Sequence, residues 1–64
     1  MSHFDIFAKF LSMFPAYQET VRAWMRRGTN SIAVEIVGHQ WLTFTFYNDR
    51  EWELVATNSR VRKV

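Results

Sequence analysis

The side chains suited to general acid–base chemistry in this chain are His3 and His39, with carboxylates at Asp5, Glu19, Glu35, Asp49, Glu51 and Glu53. Cysteine is absent, which removes thiolate nucleophiles, thiolate metal sites and disulfides. His3 falls in the first turn of a predicted helix and His39 in a predicted hairpin loop, and neither has an evident orienting carboxylate nearby in sequence. A turn histidine is ordinarily a solvated residue. The chain carries no H-E-x-x-H, no phosphate-cradling glycine-rich loop and no G-x-S-x-G. Its two glycines, Gly28 and Gly38, suit a helix cap and a turn. We therefore expect no enzyme and no cofactor or metal. Catalysis would require a concave pocket in which His39 meets a carboxylate.

Charge is the next candidate. Glu35, Glu51 and Glu53, with Asp49 at a loop, are expected on the solvent side of a sheet beside Trp41, Thr43, Thr45 and Tyr47. Alternating polar residues on an exposed face need no catalytic explanation. Their sign does matter, because an acidic face repels a nucleic-acid backbone and attracts a basic protein surface. Cations gather elsewhere: Arg22, Arg26 and Arg27 at the end of a predicted second helix, and Arg60, Arg62 and Lys63 in the tail. A helix C-terminus is itself stabilised by cations, and tail charge aids solubility. These six residues nevertheless define the alternative function, phosphate contact with a nucleic acid.

The elements that must position these groups follow from periodicity. Ser2 and Asp5 form a capping box with Asp in place of Glu, so a helix begins there. Phe4, Phe7, Leu11 and Phe14 recur on one helical face, which Ile6, Phe10 and Met13 broaden into a wide apolar arc. Pro15 ends or kinks the helix. Tyr17, Val21, Trp24 and Met25 read as a second helical stripe closed by Gly28. Residues 2–27 are thus expected to be helical, as one kinked helix or two short ones.

From Ser31 the apolar period falls to two. Strands are expected at 31–37, 41–47 and 51–57, with 58–64 as a tail. Directly opposed residues of an antiparallel pair share a face, so loop length can be tested against pattern. Three-residue loops at Gly38-His39-Gln40 and Asn48-Asp49-Arg50 place Ile36 opposite Leu42, Val34 opposite Phe44, Phe46 opposite Trp52 and Phe44 opposite Leu54. Ile32, Val34, Ile36, Leu42, Phe44, Phe46, Trp52, Leu54 and Ala56 then form one apolar face for the helical segment to cover.

The expected fold is a single α+β domain over 1–64, an N-terminal helical segment packed on a three-stranded antiparallel β-meander. Sixty-four residues allow one modest core, and three Trp, six Phe and two Tyr exceed what so small an interior readily hides. Surplus aromatic surface favours an interface. No final basic helix follows the strands, as a double-stranded-RNA-binding domain would require. Phe14-Pro15-Ala16 is an apolar junction unlike a helix-turn-helix turn, and three glutamates spoil an RRM-type stacking sheet.

The function expected is noncatalytic protein interaction, as a homo-oligomer or as an inhibitor or adaptor of another protein. Contacts would lie at Phe7, Phe10 and Met13 on the helix, or at Trp41, Tyr47, Glu35 and Glu53 on the sheet. Met1 to Phe14 carries Asp5 and Lys9 without a basic leader, and no stretch approaches the ~20 apolar residues of a membrane span. A cytoplasmic setting is expected, and size and aromatic density match small accessory proteins of phages and mobile elements.

Overall fold

Ser2 opens the helix by the reciprocal bonds its sequence implies: its Oγ accepts from the Asp5 N–H at 3.1 Å, and the Asp5 carboxylate accepts from the Ser2 N–H at 3.1 Å. In a computed structural model, which describes residues 1–56, this helix, α1, spans His3–Met13. It stops before Pro15, which starts a short 3₁₀ turn, Pro15–Tyr17. Gln18 Nε2 donates to the Leu11 carbonyl at 3.3 Å, satisfying an acceptor that the helix end leaves open.

The next segment corrects the expectation of a second helix. Val21–Gly28 is a strand, β1, followed by β2 (Ser31–Ile36), β3 (Gln40–Asn48) and β4 (Glu51–Ala56) in one antiparallel sheet of order β1-β2-β3-β4. The class remains α+β, with four strands in place of three. The three-residue spacing of Val21 and Trp24 suggested a helix, but an irregularity between Val21 and Ala23 restores both to one side of the sheet. Val21 pairs with Ile36 and Trp24 with Val34, and both lie half-buried against the core. The stronger influence is the backbone: β2 would otherwise be an edge, and β1 supplies ladder partners along its whole length. Gly28, expected as a helix cap, ends β1 instead, and its carbonyl accepts from His3 Nε2 at 2.6 Å.

The second hairpin has the expected register, with Phe46 opposite Trp52 and Phe44 opposite Leu54, but an irregularity after Phe46 pairs Asn48 with Glu51 and shortens the expected three-residue loop to Asp49-Arg50. Asn48 builds its turn, its Oδ1 accepting from the N–H groups of Arg50 at 2.8 Å and Glu51 at 3.0 Å. In the first hairpin the pairing moves by two residues. Val34 faces Leu42, Ile32 faces Phe44, and the loop is Val37-Gly38-His39. Gly38 (φ 85°) and His39 (φ 60°) both take left-handed backbone, which centres the reversal one residue earlier than expected. A two-residue shift preserves parity, so the apolar face survives.

Ile6 and Phe10 of α1 press onto Ile32, Val34, Ile36, Leu42, Phe44 and Phe46. Phe10, Phe44, Ile6, Ile32 and Val34 are fully buried. Each such side chain contributes ~1.5–3 kcal/mol of burial. Two members of the expected face fall short: Trp52 and Ala56 are exposed, because β4 lies at the sheet edge while α1 packs chiefly over β2. Trp52 still sets its ring edge-on to Phe14 at 5.5 Å. Among the described residues no polar or charged side chain is buried, and no helix is long and apolar enough to cross a membrane.

Candidate functional site

With α1 on one side of the sheet, the other side has no element over it among the described residues. Register arranges this open face in rows across the strands. Met25, Ala33, Thr43 and Val55 form the central row. Ala23, Glu35 and Trp41 lie on one side of it; Ser31, Thr45 and Glu53 lie on the other. Met25 is 54% exposed and Val55 44%, whereas Ala33 between them is buried by its taller neighbours. The small Ala33 side chain leaves a shallow depression of about 190 Å³ lined by Met25, Arg27, Ala33, Trp41 and Thr43. Ser31 Oγ and Thr45 Oγ1 are 2.8 Å apart and share one hydrogen bond, which leaves the second hydroxyl's donor for water or a partner, so this part of the face is polar.

Of the expected sheet contacts, Trp41, Glu35 and Glu53 lie on this face, and the alternation of β3 carries on to Tyr47, which is 63% exposed. Asp49 does not join them. It pairs with Lys9 of α1 at 3.3 Å, and Lys9 also lies over the Phe46 ring, 5.5 Å from its centre. Glu51 likewise turns to its own hairpin, accepting from Asn48 Nδ2 at 2.7 Å.

The expected helix contacts are taken up by the fold. Phe10 is fully buried and touches the rings of Phe14, Tyr17 and Phe44, so it offers nothing to a partner. Phe7 stacks on Trp24, and Met13 packs against the core. The unforeseen strand β1 absorbs the apolar surplus of α1. Phe4, 65% exposed, is the large residue it leaves outside.

The basic residues Arg22, Arg26 and Arg27 lie on β1, an outer strand of the sheet, where charge discourages edge-to-edge pairing; the helix-end account of them lapses with the helix. Arg22 shares a cleft with Glu35, and Arg27 lines the Ala33 depression, so both reach the open face, while Arg26 pairs with Ile32 in the other phase. Arg60, Arg62 and Lys63 lie outside the described residues.

Near the first hairpin the structure does bring His39 to a carboxylate: Nδ1 lies 3.5 Å from Glu35 Oε2, in a cleft of about 220 Å³ lined by Arg22, Glu35, Ile36, Gly38 and His39. The two lie four positions apart in sequence, and the left-handed turn at 38 and 39 folds the imidazole back. The imidazole is 95% exposed, and the lining holds neither hydroxyl nor thiol to activate. The geometry is that of a solvent-exposed imidazole turned toward a carboxylate beside the open face.

Ala33 and Val55 lie on this face as the alternation of their strands requires, and Met25 is the member that sequence reading missed. The stripe of Tyr17, Val21, Trp24 and Met25 places it on a helix, and the alternation of Ala23, Met25 and Arg27 is the signal for the strand. Comparison with protein-family models, with curated proteins and with solved structures finds no match to this chain.

Proposed function

We propose that this chain is a noncatalytic protein-interaction module that docks its partner on the open face of the sheet. The observation that carries this is the continuous surface of Met25 and Val55, each about half-exposed, with the partly exposed Trp41 and Thr43 around the buried Ala33, bounded by Arg27 and Glu53. An apolar centre with a charged rim is the anatomy of a protein interface. A nucleic acid fits less well, since Arg22 and Arg27 on this face are offset by Glu35 and Glu53. A cytoplasmic accessory protein of phage or mobile-element type accords with the size and aromatic density.

Affinity capture from the native host, with wild type and a Met25→Lys/Val55→Lys variant compared by mass spectrometry, tests the face. Binding lost in the variant, with an unchanged thermal melt, supports it; equal binding by both sinks it. The nucleic-acid alternative, through Arg22, Arg26 and Arg27 with the tail residues Arg60, Arg62 and Lys63, predicts binding to DNA or RNA at ~50 mM salt that falls steeply as salt rises.

A further inference from the structure

The open face is complementary to itself about one axis, and we infer that its occupant is a second copy of this chain, packed sheet to sheet. This pairing rests on the reading of the open face as a docking surface and names the partner. The charges lie at opposite edges of one row. Glu53 is opposite Thr45, which is opposite Ser31, which is opposite Gly28, and Arg27 stands in the irregularity just before Gly28. The β1 edge is therefore basic where the β4 edge is acidic.

Two sheets packed face to face can be related by a two-fold axis along the strands or across them. An axis along the strands reverses strand order and keeps the position along each strand. β1 then lies over β4 of the second copy, with Arg27 over Glu53, and the symmetry makes that pair twice. An axis across the strands sets β1 over β1 and brings Arg27 toward Arg22, both cations. Electrostatics selects the first.

The same rotation matches the apolar row. Met25 comes over Val55, both about half-exposed, and Thr43 of the second copy comes over the depression at Ala33. Near-parallel strands are also the geometry in which twisted sheets pack, ~10 Å apart. Glu35 is the group such packing would enclose, and Arg22 already stands in its cleft as a counter-charge, with His39 Nδ1 3.5 Å from its carboxylate. Four strands ~4.8 Å apart and about six residues long give a footprint of roughly 400 Å² per copy. That is about half the ~800 Å² per partner of a standard stable interface, so the dimer is expected to be weak and reversible.

Sedimentation equilibrium of the full chain from ~10 μM to ~1 mM tests this. A reversible dimer is expected, loosened by salt. Arg27→Glu and Glu53→Arg should each weaken it about tenfold, since each turns two attractive contacts into two repulsive ones. A mixture of the two variants should recover wild-type association, because the heterodimer regains both attractive pairs. Both side chains are exposed, and an unchanged melting temperature shows that the fold is kept. A strict monomer at 1 mM, species larger than a dimer, or no recovery in the mixture overturns the inference. If the chain is monomeric while the Met25→Lys/Val55→Lys variant loses a captured protein, the self-pairing falls and the docking face stands; if that variant loses nothing, both fall.

Discussion

The ring of Phe7 lies 4.9 Å from that of Trp24, with the planes 11° apart. This contact ties α1 to β1, the strand least evident in the sequence, and it gives the surplus aromatic surface of the helix a place within the monomer. Aromatic pairs contribute ~0.5–1.5 kcal/mol beyond the area they bury. Phe7→Ala or Trp24→Ala should each cost about 2–3 kcal/mol, less than the ~3–5 kcal/mol of a fully buried aromatic because both rings are half-exposed. Urea denaturation of the two single variants and the double variant should give a coupling of ~0.5–1.5 kcal/mol. Strict additivity would show that the stack is not formed in solution.

The capping box makes α1 sensitive to acid. Hydrogen bonds from the Ser2 backbone N–H and from its hydroxyl hold the Asp5 carboxyl below the usual aspartate range. The folded-state pKa lies under the unfolded one, so the contribution is fully present above the unfolded value and is lost as pH falls through the folded one. Wild-type melting temperature should therefore drop below about pH 4, and Asp5→Asn should flatten that limb while leaving other acid-sensitive groups in place. Identical pH profiles for the two proteins would remove the box from the account. Ser2→Ala should cost ~1 kcal/mol at neutral pH.

The first hairpin depends on Gly38. Its φ of 85° is disfavoured for any side chain, although a Cβ there would meet nothing within 4 Å. Gly38→Ala should destabilise by ~1–2 kcal/mol through backbone strain alone, since no clash adds to it. Thermal unfolding measures this, and an unchanged or raised melting temperature would argue against the left-handed turn. The same substitution should widen exchange of the Val37 N–H, which donates to the Thr20 carbonyl at 3.0 Å beside the turn.

Much of this protein was legible residue by residue. The alternation from Ile32 to Ala56 assigned each side chain to one of two sides, and the match between Phe44, Phe46, Leu54 and Trp52 set the register of the second hairpin. Ser2, Asp5 and Pro15 bounded the first helix by chemistry that acts within one turn. The partner of β2 was not legible. Val21 and Trp24 keep a helical spacing that an irregularity near Arg22 turns into strand geometry, and only the unmet N–H and C=O groups of β2, distant in sequence, decide for the strand. That decision moved Phe7 onto Trp24, enclosed Phe10, and carried Met25 and Arg27 to the open face. Periodicity belongs to a segment taken alone, whereas the choice between helix and strand at 21–28 belongs to the backbone bonds of its neighbours, which only the assembled sheet supplies.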